Sequence, residues 1–399
     1  MREFLNRLKF VKGKDILAVF PMLIGIPCGL FKRITHTHIW LVCERENEAR
    51  DNGYWFFKYL IENHPEIEAV YAIKKSGIDF EKVNRLGKTI EFGSLKHWIY
   101  YFAAERNISS QKEGKPNAAL CFVLEVYLGF RKNRVYIRHG ICKDDQKWVY
   151  YDVTKMNVFV CSAIREYEFV KERFGYPEEN VQLLGLCRFD NLHKVHKIKR
   201  QIVVMPTMRE WLRNVSTDTL KYEGTDKIEE SEYFVTWNSF IHNVSLAELL
   251  EQYDIDLVFF PHSSLHKYLN LFRTECNRIH IGDARRYDVQ QLLMESSVLI
   301  TDYSSIYFDF GYMKKPLLYY QFDYKKYRLG QYQEGYYSYE NDGFGKIVAN
   351  EKDLINELKK ILDNGCIMEN FYKNRVDEFF AFKDEKNCER TYHAVKQMR

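Results

Sequence analysis

VLITDYSSIYFDFGY, residues 298–312, decides the fold. Val298, Leu299 and Ile300 form a short apolar run of the kind that makes a strand buried on both faces of a parallel sheet. Thr301-Asp302-Tyr303-Ser304-Ser305 interrupts the run with small hydroxyls. Ile306, Phe308 and Phe310 follow, and Pro316 closes the segment after Lys314 and Lys315. A strand, a hydroxyl-rich turn and a helix in that order aim backbone N–H groups past the top of a sheet. Such a place suits a phosphate, because the helix start carries partial positive charge and the hydroxyls add donors. Hydroxyls stand where a P-loop has glycines, so this is no nucleotide-hydrolase fingerprint. The plainer role for Ser304 or Ser305 is to N-cap the helix.

The same rhythm extends in both directions. Downstream, PLLYYQFD from Pro316 reads as a last strand, and the Tyr- and Gly-rich residues 327–345 read as a substrate-facing loop. Upstream, Asp288 opens a helix with Gln291 three on, a capping box. Strands are expected at 201–207, 256–262 and 278–282, a helix over 234–253, and a polar loop over the site at 213–232. The basic stretch HKVHKIKR (193–200) reads as a linker. Before it, strands at 38–43, 68–73, 134–140 and 157–163 alternate with helices, residues 107–134 are less clear, and 181–192 closes this half. Two closing helices are expected at 352–364 and 372–398. Alternation of this kind makes parallel sheets with both faces covered. The predicted fold class is α/β: two facing Rossmann-type domains, with ligands bound in a cleft at the strand C-termini. The expected parts are 1–33, 34–195, 196–380 and 381–399, the last being a helix that packs back on the first domain.

The totals agree. A chain of 399 residues is too long for one ordinary core. The net charge of +4 is too small to suggest a nucleic acid partner. Nine scattered cysteines without a CxxC pair read as reduced, buried thiols of a cytosolic protein. Residues 1–33 differ from the rest: basic residues lead into ILAVFPMLIGIPCGLF (16–31) and then Lys32-Arg33. The run falls a little short of the ~20 residues a spanning helix needs, and Pro21 and Pro27 are expected to break it. The reading is a segment that dips into the inner leaflet, with its cations on anionic headgroups.

Four strands end in polar clusters: Arg138-His139-Gly140, Pro206-Thr207-Met208-Arg209, Pro261-His262-Ser263 and Thr301-Asp302-Tyr303-Ser304-Ser305. Histidine suits general base work and arginine grips a diphosphate with two donors. Together they point to a functional cleft. Metal ligation has weaker support. His262 and His266 stand four apart without an acidic or Cys partner, and the DxD triplet 254–256 lies at the wrong end of a strand. No resident metal or other cofactor is expected.

These clusters, in this order, resemble the CDP-glycerol glycerophosphotransferase family, whose members build the poly(alditol phosphate) of teichoic acids and some capsules. Residues 288–327, DVQQLLMESSVLITDYSSIYFDFGYMKKPLLYYQFDYKKY, carry the resemblance most specifically, including a downstream Y-x-x-D-x-x-x-Y. Residues 181–192 are similar to the family's G-x-P-R-x-D-x-L, with Gly185, Arg188, Asp190 and Leu192 kept and Cys187 for Pro. Arg138-His139-Gly140 resembles W-H-G, residues 206–210 resemble P-T-W-R-D, and Pro261-His262 stands at the second histidine with the order reversed.

The resemblance implies a GT-B-like fold, a CDP-alditol donor held by the second domain, and a lipid-linked or oligosaccharide acceptor. It also implies peripheral attachment to the cytoplasmic face of the membrane. On this reading an acceptor hydroxyl attacks the phosphorus bearing glycerol and CMP leaves. His139 is the base, and His262 holds or protonates the pyrophosphate. Arg209 neutralises it; Thr301, Ser304 and Ser305 cradle it. Asp302 and Asp309 orient donor hydroxyls or brace the loop, and Arg138, Gly140, Arg188 and Thr207 complete the expected substrate contacts. His139, His262 and Arg209 are expected to converge on the diphosphate. Two other readings remain at this point: a GT-B glycosyltransferase using a nucleotide sugar, and a non-catalytic membrane-associated scaffold.

Overall fold

Segments such as IWLVC and VLIT have no polar residue alternating with the apolar ones, so each needs cover on both faces. The computed structural model, which describes residues 12–130, 133–194, 197–212 and 228–398, gives them that cover in two α/β units. The first unit comprises residues 1–141, 146–191 and 381–399. Its strands are β1 (Ile39–Cys43), β2 (Glu68–Ile73), β3 (Thr89–Glu91), β4 (Arg106–Ser109), β5 (Arg134–Tyr136), β6 (Val158–Cys161) and β7 (Val181–Leu183). They pair in the order β3-β2-β1-β4-β5-β6-β7, all parallel. Trp40 and Val42 pack to one side with Phe56 and Tyr392; Ile39, Leu41 and Cys43 pack to the other with Trp98 and Phe102.

The second unit comprises residues 142–145 and 192–380. Its strands are β8 (Gln201–Met205), β9 (Asp256–Phe259), β10 (Ile279–Ile281), β11 (Val298–Thr301), β12 (Leu317–Tyr320) and β13 (Lys346–Val348). Their order is β10-β9-β8-β11-β12-β13, again all parallel. Both sheets reverse direction once, between β1 and β4 and between β8 and β11. In an open parallel sheet, ligands bind outside the strand C-termini at that reversal.

Several sequence expectations are corrected. The strand at Pro316 is not the last: β13 adds a short edge beyond it. The expected helix 234–253 is two, Glu232–Ile241 and Val244–Gln252, because Asn243 caps the second by accepting from Leu246 N. The final helix is also two, Asn370–Phe379 and Asn387–Gln397, and the chain passes from the second unit to the first between them. Asp288 caps its helix as expected, but Gln291 turns forward to Glu295 and leaves the capping box half made. Most of the expected loop 213–232 lies outside the described residues.

The prolines do not break the N-terminal segment. Helix Val19–Thr35 runs through Pro27, and residues Gly13–Thr35 are long and apolar enough to cross a membrane by length and composition. Packing compensates for the hydrogen bond that Pro27 removes. Gly25 and Gly29 lie against helix Leu95–Ala103 so closely that added Cβ atoms would stand 2.7 Å from Trp98 Cβ and 2.6 Å from Phe102 Cβ.

Candidate active site

The reversal point of the first unit is built around Asp51, which sequence reading passed over as part of a polar stretch before a helix. Asp51 is buried and its carboxylate is a hub. It accepts from His139 Nδ1 at 2.6 Å, from Arg188 Nη1 at 2.9 Å, from Asn52 N at 2.8 Å and from Gln111 Nε2 at 3.4 Å. Burial pushes its carboxyl up, but the hydrogen bond from His139, the charge of Arg188 and the bond from Asn52 outweigh burial and hold it below the ordinary value. An ionised Asp51 can only accept, so Nδ1 of His139 carries a proton and in the neutral ring Nε2 keeps its lone pair. The His139 side chain is 58% exposed. An imidazole with a fixed tautomer and an accessible nitrogen has the geometry that general base chemistry requires.

The backbone explains the presentation. Arg138 adopts a left-handed φ of 60°, which costs a non-glycine residue about 1–2 kcal/mol. The turn sends Arg138 inward, its guanidinium over the Phe159 and Tyr136 rings, and leaves His139 outside. Asn52 Nδ2 donates to the Arg138 carbonyl at 2.7 Å, and Arg188 Nη1 donates to the His139 carbonyl at 2.6 Å. Asn52 Oδ1 in turn accepts from Arg188 N at 2.9 Å. Arg138 and Arg188, read as substrate contacts, are buried supports of the His139 turn, and Gly140 is buried beside them. The rest of the 181–192 motif is also structural: Asp190 caps the C-terminal helix through Asn387 N and Cys388 N, both at 2.8 Å.

Glu44 follows β1 and fills the place where a Rossmann unit receives a phosphate. Its carboxyl accepts from Arg50 N, Asp51 N and Tyr54 N at the start of helix Asn52–Asn63. Burial, and then the neighbouring Asp51 charge, push its pKa up to about 8. The first unit therefore answers its own helix start with a carboxyl group, and an incoming phosphate finds those donors taken.

The second reversal point looks similar in sequence and is used differently. Arg209 is fully buried. Its Nε and Nη2 donate to Asp323 at 2.7 and 3.0 Å, and its Nη1 to Asp302 Oδ2 at 2.8 Å and to the Thr207 carbonyl at 2.6 Å. The Tyr303 ring lies 4.9 Å from the guanidinium and stacks on Tyr327. Asp302 also accepts from Thr207 N at 2.8 Å. Arg209 is thus held inside by two aspartates and is not presented to a diphosphate, which corrects the expected role. The Y-x-x-D-x-x-x-Y motif supplies this enclosure through Asp323 and Tyr327. Thr301 is corrected too: buried, it donates to the Met205 carbonyl at 2.7 Å and ties β11 to β8. Asp302 braces the loop, and Asp309 is buried inside helix Ile306–Tyr312.

What faces outward here is smaller. Ser304 and Ser305 are half-buried, and neither hydroxyl caps the helix; Ser305 heads it with no side-chain bond. The Thr207 hydroxyl does not face outward: it is buried, without a partner among the described residues. His262, at the end of β9, accepts at Nδ1 from Ser264 N at 3.2 Å. A backbone N–H can only donate, so the neutral ring carries its proton on Nε2. His262 is set as a donor, His139 as an acceptor. Among the described residues no three His, Cys, Asp or Glu side chains gather as metal ligands do, and the side chain of His266 lies outside them. Asp254 and Asp256 pair with Arg278 at the start of β9.

Comparison with known proteins agrees with this architecture. The chain is 30% identical over 368 residues to the minor teichoic acid biosynthesis protein GgaB of Bacillus subtilis (strain 168), a match covering 90% of this chain and 40% of that protein. It is 34% identical over 230 residues to a teichoic acid glycerol-phosphate transferase of Staphylococcus aureus (strain NCTC 8325 / PS 47), covering 56% and 54%. The chain thus spans about two fifths and about half of these relatives. The structure of the wall teichoic acid polymerase TagF superposes with a TM-score of 0.64 at 18% identity over 99% of both chains. A UDP-GlcNAc 2-epimerase of Methanocaldococcus jannaschii superposes at 0.55 and 13% identity, over 90% of this chain and 99% of that one. The fold is therefore GT-B-like, with two parallel-sheet units. A profile of the CDP-Glycerol:Poly(glycerophosphate) glycerophosphotransferase family matches residues 26–397, and the chain belongs to that family.

Proposed function

We propose that this protein transfers an alditol phosphate, glycerol phosphate first among them, from a CDP-alditol to a hydroxyl of a teichoic acid or related cell-surface glycan, releasing CMP. The observation that carries the proposal is the Asp51–His139 pair, with Nδ1 fixed as donor and Nε2 left as an exposed base. The acceptor O–H gives its proton to His139 Nε2 while its oxygen bonds to the phosphorus bearing glycerol. The bond from that phosphorus to the bridging oxygen breaks, and the electron pair leaves with CMP. The donor belongs to the second unit, where the Ser304 and Ser305 hydroxyls and His262 Nε2–H supply neutral donors to the diphosphate. The preset hydroxyls and the His262 proton stabilise the charge moving onto the CMP phosphate. In the first unit Glu44 already occupies the equivalent helix start, which supports this division of labour. The proposal uses no resident metal; a reaction that stops in EDTA would add one.

The protein acts at the cytoplasmic face of the membrane, held there by its N-terminal helix. Phe20, Leu23, Phe31 and Ile34 are exposed on that helix, with Lys32 and Arg33 near its end. Apolar side chains flanked by cations suit an interface with anionic lipid. Incubation with CDP-glycerol, CDP-ribitol and a panel of UDP-sugars, in the presence of acceptor, tests the reaction. CMP release with a CDP-alditol alone is expected; release of UDP alone would replace phosphate transfer by glycosyl transfer. Binding of none of these nucleotides would leave only a scaffold.

A further inference from the structure

Two loops of the first unit meet near His139, one carrying the half-buried Lys112 and the other the exposed Trp148. The loop after β4 begins Ser110-Gln111-Lys112, and Gln111 touches the Asp51 carboxylate that fixes His139. Next in the chain, the Lys112 ammonium stands 5.2 Å from the centroid of the Trp148 ring. Trp148 lies on the segment that leaves β5, downstream of His139, in the short turn Lys147–Val149. Its neighbour Val149 is fully buried and anchors the turn, whereas Trp148 is 39% exposed. Leaving that much of the largest apolar side chain in water forfeits burial. The Lys112 side chain is 29% exposed, and its carboxylate partner is the adjacent Glu113 at 3.3 Å, itself 55% exposed. Such a pair is weak in water and yields readily to a better anion.

We propose that Trp148 and Lys112 form an acceptor subsite beside His139 that takes a sugar ring next to a phosphodiester. The flat ring face of a tryptophan receives the polarised C–H groups of a pyranose. The Lys112 ammonium stands over one face of the ring, which leaves the opposite face for the sugar, and with the exposed Lys147 beside it takes the phosphate that follows the sugar in the acceptor chain. Lys112 lies on the loop that leaves the C-terminal end of β4, next to the reversal between β1 and β4 at which an open parallel sheet receives ligand. This subsite rests on the transfer reaction proposed above. It adds to that reaction a preference for a glycosylated, phosphate-containing acceptor over a bare alditol phosphate.

The test is titration calorimetry of the full chain with a synthetic glycerol phosphate trimer carrying one glucose, and with the same trimer lacking the sugar. Wild type is expected to bind the sugar-bearing trimer more tightly. Trp148→Ala should weaken that binding about five- to tenfold and leave the sugar-free trimer unchanged, while Trp148→Phe, which keeps an aromatic face, retains most of it. Lys112→Ala should weaken both trimers. Equal binding of the two trimers by wild type, no binding of either, or variants that bind as wild type does would overturn the subsite. CMP release from CDP-glycerol is followed in the same preparations. Release with trimer binding indifferent to Trp148 removes the subsite and keeps the reaction. Trimer binding that depends on Trp148, with no CMP release, keeps the subsite and removes the reaction.

Discussion

The two reversal points hold the same kinds of residue for opposite ends. In the first unit an aspartate gathers a histidine, an arginine and an asparagine so that the histidine stands outside with one nitrogen free. In the second, two aspartates and a tyrosine stack close around Arg209 until nothing of it is exposed. One cluster presents a group and the other seals one. Charge near a sheet's C-terminal edge therefore does not mark a ligand contact. What separates the two is whether the donors and acceptors of the group are already spent inside the protein.

Removing the sealed cation is expected to have the largest effect. Arg209→Ala leaves Asp302 and Asp323 buried without their counter-charge, and breaking such a cluster costs about 3–5 kcal/mol. Denaturant unfolding should show that loss; a protein of wild-type stability with weakened donor binding would return Arg209 to the diphosphate. Next comes Asp51→Asn. The amide donates where the carboxylate accepted, so it favours the wrong His139 tautomer, and kcat should fall about 10²-fold or more with little change in donor KM. Smaller again is Ser304→Ala with Ser305→Ala, expected to raise the KM for CDP-glycerol about tenfold while leaving melting temperature near wild type, because neither hydroxyl caps its helix.

The smallest effect concerns Glu44. Its carboxyl is raised from the ordinary 4.5 to about 8, so in that interval the folded protein keeps a proton that the unfolded chain has released. The contribution of Glu44 to stability therefore falls as pH rises from 4.5 to about 8. Glu44→Gln should flatten the fall of melting temperature across the window; an unchanged slope would mean that Glu44 ionises normally at its helix start.

Much of this was legible in the chain. Unbroken apolar runs with polar ends gave the parallel strands, and the reversal points carry three of the four polar clusters that sequence reading singled out. The facing of each side chain was not legible, because it depends on partners far along the chain. Asp302 and Asp323 lie 93 and 114 residues from Arg209, and Asp51 lies 88 residues from His139. Asp51 precedes a helix in the ordinary place of a cap, which hid its second use. The strand β13 was missed because three residues give no period. Pro27 suggested a break where glycine-mediated packing sustains a helix.

One measurement bears most directly on His139 as the base. CMP release by His139→Ala should be followed in a single turnover with CDP-glycerol and acceptor, with donor affinity measured on the same protein. The account predicts an unchanged donor affinity and a rate lowered about 10³-fold or more. A variant that turns over near the wild-type rate would contradict it and take the exposed imidazole out of the chemistry.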